Sequence, residues 1–144
     1  MTETEQSVYE MIGGTETFRR LVDAFYKRVE ADEYLRPMFP EDLEPGKYWQ
    51  MLFLIQFFGG PTQYIEDRGH PRLRMRHAPF VIDQKGRDHW FTHMCEAIDE
   101  VGIQEPARTT MRDYFERGSS FMINADQNTP NLMHWQKPPK DQST

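Results

Sequence analysis

The most distinctive stretch of this chain is Gly69-His70-Pro71-Arg72-Leu73-Arg74-Met75-Arg76-His77-Ala78-Pro79-Phe80. It closes a run from Gly59 that shows neither helical nor strand periodicity, although periodic segments flank it on both sides. Unpatterned runs of this length inside a domain are uncommon and are usually functional or disordered. Pro71 and Pro79 restrict the backbone, and His77 stands just before the second of them. A histidine held in so rigid a segment can serve as an axial ligand to a metal ion.

The composition narrows the class of protein. A length of 144 residues predicts one domain that is large enough to bury a substantial core. No apolar run is long enough to span a membrane and no signal-peptide pattern stands at the start, so we expect no membrane partner. The single cysteine, Cys95, excludes an internal disulfide and favours a reducing, cytoplasmic location. A net charge of -6 argues against nucleic acid as the main partner.

The first strongly periodic segment predicts a long amphipathic helix. Gly13 and Gly14 break the chain before it, and Thr15 is a candidate N-cap. Tyr26 belongs to the apolar stripe of this helix, so its hydroxyl should point inward and need a partner. The side chains that recur at helical spacing and predict the buried stripe are Phe18, Leu21, Val22, Phe25, Tyr26 and Val29.

The second segment lies between Pro45 and Phe58 and is apolar on almost every side. This pattern predicts a helix that is buried on more than one face. A proline-rich corner before it should push Phe39 toward the interior. Gln50 lies among the hydrophobic side chains of the helix, and a buried amide without a partner costs about 1–3 kcal/mol. We therefore expect a partner for this amide.

Two further helices are predicted in the C-terminal half. Asp83 is a candidate cap for the first of them, and Gly102 should stop it. The second should begin near Pro106. Gly118 falls on its apolar face, and since glycine costs about 1 kcal/mol in a helix, a bulky group should lie against it. The two stripes are Trp90, Phe91, Met94, Ala97, Ile98 and Val101, and then Met111, Tyr114, Phe115, Gly118, Phe121 and Met122.

The predicted fold is all-α, with four substantial helices and a long unwound connection in the place of a fifth. The domain should extend over residues 1–125. Residues 126–144 are polar and aperiodic, and we interpret them as a C-terminal tail.

A haem group would use several of these features. It requires an axial histidine, a wide apolar slot, cations for its two propionates and a distal face suited to a bound gas. His77 can be the axial ligand, and Arg76, together with Arg72 or Arg74, can pair with the propionates. The apolar slot can come from Phe39, Phe53, Leu54, Leu73, Phe80 and Met94.

The distal face can draw on three hydrogen-bond donors that lie on separate buried stripes. These are the phenol of Tyr26, the amide of Gln50 and the indole N–H of Trp90. The sequence pattern permits their convergence but does not by itself require it, because each could equally be a core residue bonded to a backbone carbonyl.

The sequence resembles the truncated haemoglobins, and within them the second group. The resemblance implies haem b as cofactor, His77 as the proximal iron ligand, and Phe39 as the aromatic side chain that wedges against the haem. It also implies that Tyr26, Gln50 and Trp90 form the distal polar cluster. It covers roughly Val8 to Asn124 and is carried by Gly13-Gly14, Phe25-Tyr26, Phe39-Pro40, Gln56-Phe57-Phe58-Gly59-Gly60-Pro61, the stretch 69–80 and Trp90.

The implied fold is a two-over-two α-helical sandwich with a long loop in place of most of the proximal helix. Globins often carry a distal histidine four residues before the position of Gln50. This chain has Gly46 there, so no side chain gates the pocket at that point. Distal chemistry would then fall to Tyr26 and Trp90.

The resemblance implies reversible binding of oxygen, with carbon monoxide, nitric oxide or peroxide as other small ligands. The rival interpretation is an enzyme that oxidises nitric oxide or reduces peroxide with the same haem. The chain contains no flavin or nicotinamide domain, so turnover would need an external reductase, and this favours binding. A helical interaction module without cofactor would leave the long loop and the buried glutamine unexplained.

Two other histidines, His89 and His93, are four residues apart and could together hold zinc. No third ligand of suitable spacing presents itself, so we expect both to be surface residues. His70 precedes a proline, and we expect it to stabilise the loop and not to bind iron. Cys95 is expected to be a core or boundary residue without a redox role.

Overall fold

The computed structural model describes residues 6–72 and 82–123. Over these ranges the chain is helical and contains no strand, as the all-α prediction requires. The elements are α1 (Val8–Ile12), α2 (Thr15–Glu30), a 3-10 turn (Arg36–Met38), α3 (Glu44–Phe57), α4 (Gln63–Arg68), α5 (Gln84–Val101) and α6 (Ala107–Phe121). The four long helices α2, α3, α5 and α6 are the four that periodicity predicts.

The core forms around α2, which packs against both α3 and α5, while α5 also packs against α6. Every residue of the predicted α2 stripe is buried, because the apolar positions repeat at 3.6-residue spacing along one face. This arrangement places α2 and α3 over α5 and α6. Within the described ranges, no helix combines the length and apolarity needed to cross a lipid bilayer.

The start of α2 differs from the prediction by one residue. Gly14 occupies the N-cap position, and Thr15 is the first helical residue. Instead of capping the helix, the Thr15 hydroxyl lies 2.9 Å from the phenol oxygen of Tyr9. The short helix α1 before it is closed by a capping box at Ser7 and by Gly13 at φ 106°, a conformation that favours glycine.

Helix α3 is less completely buried than its composition predicts. Tyr48 and Phe57 leave 44% and 50% of their surfaces exposed, so the expectation of burial on several faces is wrong for these two. The physical reason is that one face of an aromatic ring can be covered by another ring while its edge meets solvent. Phe57 stacks in this way on Tyr114 of α6, with ring centroids 4.1 Å apart.

The run after Gly59 is not unwound throughout, because α4 lies within it. No periodic pattern marks α4, since a helix of six residues completes less than two turns. Tyr64 anchors it: this side chain is 2% exposed and meets the rings of Trp49 and Phe53, both at 5.8 Å. Residues 73–81, which include all of the distinctive stretch after Arg72, lie outside the described residues.

The two C-terminal helices begin and end close to the predicted positions. Asp83 is the N-cap of α5, where its Oδ1 accepts a 2.8 Å hydrogen bond from the Gly86 amide. Gly102 ends this helix in the left-handed conformation, with φ 85°.

The apolar stripe of α6 turns away from the predicted line at its end. Ser119 is buried, whereas Phe121 is 60% exposed, because Met111, Phe115 and Ser119 follow the four-residue spacing that faces the core. The expectation that a bulky group from elsewhere in the fold lies against Gly118 is also wrong. Among the described residues, the atoms nearest to a Cβ added there belong to the ring of Tyr114 in the same helix, at an ordinary 3.7 Å.

Candidate functional site

A cavity of about 170 Å³ opens between α2, the corner that follows it, and the start of α5. A single water molecule requires about 10–15 Å³, so this cavity is an order of magnitude larger than that. Its lining is mostly apolar, with a few polar groups. The described residues that line it are Tyr26, Leu35, Met38, Phe39, Pro40, Asp42, Leu43, Gly46, Ile82, Gly86, Arg87, Trp90, Ser119 and Met122.

Tyr26 reaches this cavity from the buried stripe of α2, and only 7% of its surface is exposed. Its ring is held edge to face between Phe25 at 5.4 Å and Phe39 at 5.8 Å. Burial raises the pKa of the Tyr26 phenol, so the group keeps its proton at neutral pH and remains a donor. Its hydroxyl makes no hydrogen bond to any residue in the described ranges.

Trp90 reaches the same cavity from the first half of α5. Its indole ring is held by Phe25 at 5.2 Å and by Phe115 at 5.8 Å, so α2 and α6 both orient it. Its N–H, like the Tyr26 phenol, donates to no described side chain or carbonyl. Tyr26, Phe39 and Trp90 are therefore predicted site residues that the structure brings together on one cavity.

Gln50 lies on α3 and is half-buried, but it is not among the described residues that line the cavity. Its Oε1 is fully buried and has no hydrogen-bond partner within the described ranges. The partner that the sequence analysis expected is therefore not provided by the described protein groups. A buried acceptor without a donor costs about 1–3 kcal/mol, so Gln50 Oε1 calls for a hydrogen-bond donor from a group that these ranges do not contain.

The other described members of the predicted apolar slot lie elsewhere. Leu54 and Met94 are 2% and 0% exposed and belong to the hydrophobic core. Phe53 packs against Phe57 at 6.0 Å and against Tyr64 at 5.8 Å. None of the three lines the cavity. Arg72, offered as a propionate partner, is exposed. The predicted residues that lie outside the described residues are Leu73, Arg74, Arg76, His77 and Phe80.

Arg87 is a cavity residue that the sequence analysis missed. It precedes Trp90 by three positions, and this helical spacing was the available signal, because residues i and i+3 share a face. Its Nε donates to the Ser119 hydroxyl at 3.1 Å, and its guanidinium also donates to the Glu116 carbonyl at 3.2 Å. It also lies 4.8 Å above the ring of Phe91. Arg87 thus ties α5 to α6 at the cavity wall.

Arg36 fixes the corner that carries Phe39. Its guanidinium donates to the carbonyl oxygens of Phe39 at 3.4 Å, Pro40 at 3.0 Å and Glu41 at 3.0 Å. Charged donors make stronger hydrogen bonds than neutral ones. One side chain therefore donates to three successive carbonyl oxygens that have no intrahelical hydrogen-bond donor. In this way Arg36 holds Phe39 against Tyr26.

Asp83 joins the corner to the start of α5. While one carboxylate oxygen caps the helix, the other accepts a 2.7 Å hydrogen bond from the Tyr34 hydroxyl. Burial and the Asp83 carboxylate together raise the pKa of Tyr34 to about 12. The bond thus fixes the position of the helix turn from which Arg87 and Trp90 project.

These residues fit the haem that the sequence led us to expect. A haem requires an apolar slot with polar groups on its gas-binding side. The cavity walls are mostly apolar, and the Tyr26 hydroxyl and the Trp90 N–H donate to no described residue. The buried Oε1 of Gln50 also has no partner in the described part of the chain. Gly46 lies in the wall without a side chain to fill the space.

Comparison with known proteins gives consistent relatives. The bacterial-like globin family matches residues 7–124. The hemoglobin of the thermophilic phototroph Chloroflexus aurantiacus is 59% identical, with 83% of this chain and 99% of that chain covered and a TM-score of 0.82. The group 2 truncated hemoglobin YjbI of Bacillus subtilis is 40% identical over 124 residues, which are 86% of this chain and 93% of the relative. The group II truncated hemoglobin of Bacillus anthracis is 35% identical, covers 90% and 99% of the two chains, and has a TM-score of 0.85.

Proposed function

Since this chain belongs to the bacterial-like globins and, among them, to the group II truncated haemoglobins, we propose that it binds oxygen reversibly through Tyr26, Gln50 and Trp90 on one side and His77 on the other. Membership of the family confirms the truncated-globin fold and haem b as the cofactor. It also makes small gaseous ligands such as oxygen the partners of this protein.

When bound, the haem supplies a ferrous iron at which a diatomic gas can bind. The chain supplies what surrounds that gas. Tyr26 and Trp90 would present a neutral O–H and a neutral N–H to a gas held in the cavity, and both are hydrogen-bond donors. Tyr26 and Trp90 line one cavity, and neither the phenol nor the indole N–H donates a hydrogen bond to any residue in the described ranges. This single observation carries the proposal, and it supports slow release of oxygen.

The proximal half of the proposal rests on the family motif around His77. We assign His77 as the iron ligand and Arg76 as the propionate partner, with Leu73 and Phe80 in the apolar slot. On the described side, Phe39 borders the cavity, and Phe53, Leu54 and Met94 would support the slot from behind. A cytoplasmic location belongs to the proposal and is supported by the single cysteine.

The visible absorption spectrum of the purified protein tests this proposal. After reduction with dithionite, we expect a five-coordinate ferrous spectrum that changes to a sharp carbonyl Soret band when carbon monoxide is added. His77→Ala should lose this behaviour, whereas His70→Ala should keep it. Absence of any haem band after reconstitution with hemin would contradict the proposal, and a six-coordinate ferrous spectrum would contradict an open distal side.

The enzymatic alternative uses the same pocket. Donors that stabilise oxygen would also polarise a peroxide bond, so nitric oxide oxidation or peroxide reduction remains the second candidate. Both need an external reductant. Sustained consumption of nitric oxide by the haem-loaded protein with a supplied reductase would favour this alternative over simple binding.

A further inference from the structure

His89 and His93 do not behave as the isolated surface histidines that their spacing led us to expect. Both rings face one carboxylate oxygen, Asp32 Oδ2, with His89 Nδ1 at 2.8 Å and His93 Nε2 at 2.6 Å. The three donor atoms lie within 4.8 Å of one another. Asp32 comes from the turn after α2, 57 and 61 residues away in sequence, so helical spacing alone could not reveal it. That expectation is corrected here.

We propose that Asp32, His89 and His93 form a binding site for a divalent first-row transition ion, with Zn²⁺ as the best-matched metal. Two imidazole nitrogens and one carboxylate oxygen are a donor set that zinc uses when it keeps one position open for water. None of the three residues lines the cavity described above, so the proposed metal site is separate from that cavity.

Asp32 is prepared as an anionic ligand. Its other oxygen, Oδ1, is already occupied by the backbone amides of Tyr34 at 2.8 Å and Leu35 at 3.1 Å, which leaves Oδ2 to face the two rings. The side chain is only 8% exposed. Burial alone would raise the pKa of this carboxyl, but hydrogen bonds from His93, His89 and the two amides hold it well below its usual range. A carboxylate fixed in this way loses little conformational entropy when a metal ion binds.

The two histidines leave an entry path for the ion. They share one face of α5 because they are one helical turn apart, and their side chains are 33% and 19% exposed. Zinc ligands placed tetrahedrally at about 2.0–2.1 Å from the metal lie roughly 3.3 Å apart. The present N···O distances of 2.8 and 2.6 Å are shorter, so metal binding requires them to lengthen by roughly 0.5 and 0.7 Å, and each ring must carry its proton on the nitrogen that does not bind the metal.

The remaining nitrogen of His93 limits the expected affinity. His93 Nδ1 is fully buried and has no partner within the described ranges. With zinc at Nε2, this nitrogen would carry the proton and would lack the second hydrogen bond that usually orients a metal-bound histidine. Loss of such a bond typically weakens metal binding by about 10–100-fold, so we expect affinity below that of a fully supported zinc site.

Zinc titration of the metal-stripped, haem-loaded protein by calorimetry tests the proposal. His89→Asn and His93→Gln each place an amide N–H near the lost ring nitrogen, so Asp32 keeps its donors and the fold is preserved. His70→Gln is the control, because it removes an exposed histidine outside the cluster. We expect one equivalent of zinc for the wild type and the control, and at least tenfold weaker binding for each cluster variant. Absence of zinc binding, or equal binding by the double variant, would overturn the site.

X-ray absorption at the zinc edge gives a second test on the wild-type chain alone. We expect two imidazole shells and light-atom ligands. A sulfur ligand would place the ion at a cysteine or methionine instead and would reject this assignment.

Discussion

The ring of Tyr26 meets the ring of Phe39 edge to face, with centroids 5.8 Å apart and an interplanar angle of 81°. Because Arg36 holds the corner that carries Phe39 through three carbonyl oxygens, the position of this ring is set by the backbone. The contact therefore fixes the direction of the Tyr26 phenol, which burial keeps protonated. A donor so fixed needs no reorganisation when a gas enters the cavity.

Removing the proposed distal donors should accelerate oxygen release. Trp90→Phe and Tyr26→Phe each keep an aromatic ring but delete one donor. A neutral hydrogen bond is worth about 0.5–1.5 kcal/mol, so each change should raise the oxygen dissociation rate by about two- to tenfold. Stopped-flow displacement of oxygen by carbon monoxide measures this rate. Phe91→Leu, on the same helix but outside the cavity lining, is the control, and an unchanged rate in Trp90→Phe would exclude the indole as a donor.

Gln50 gives one prediction for the haem-free chain and another for the haem-loaded protein. Gln50→Met removes a buried oxygen that has no partner in the described part of the chain, so it should stabilise the haem-free chain by about 1 kcal/mol. In the haem-loaded protein the same change should raise the oxygen dissociation rate. Urea unfolding of the haem-free protein measures the first effect.

Gln56→Met is the matched control for this prediction. Gln56 is also on α3, but its Oε1 accepts a 3.0 Å hydrogen bond from the Ile65 amide. Its replacement should therefore destabilise the chain. If Gln50→Met also destabilised the haem-free protein, the Gln50 amide would have a partner and the assignment to the distal cluster would lose its support.

The sequence predicted those parts of the fold that depend on local periodicity. The α2 stripe follows from spacing alone, and Asp83 and Gly102 follow from the chemistry of helix ends. Helix α4 was missed because six residues are too few to show a period. Asp32 was missed as a partner of His89 and His93 because helical spacing shows which residues share a face but not which distant turn that face meets. Ser119 was missed for a similar reason, since the exact face that α6 turns to the core depends on its packing.

Asp32→Asn should destabilise the metal-free protein in a pH-dependent way. The pKa of the Asp32 carboxyl is lowered in the folded state, so the carboxylate contributes stability above its unfolded pKa of about 3.9 and loses it as the pH falls toward the folded value. We expect the full loss, about 1–3 kcal/mol, at pH 7. The difference between variant and wild type should shrink below about pH 4. Denaturant unfolding from pH 7 to pH 3 checks this, and a constant difference would assign the loss to packing.

The double role of Asp83 allows its two contributions to be separated. Asp83→Ala removes both the cap of α5 and the partner of Tyr34, and it should cost about 1–2 kcal/mol of unfolding free energy. Asp83→Asn keeps a capping oxygen and should cost clearly less. In Asp83→Asn the pKa of Tyr34 should fall from about 12 only part of the way to its ordinary value, because burial is the larger cause of the shift and persists. Alkaline titration of tyrosine absorbance at 295 nm, with Tyr34→Phe identifying the signal, measures this change. A complete return to the ordinary value would show that the carboxylate, and not burial, controls this phenol.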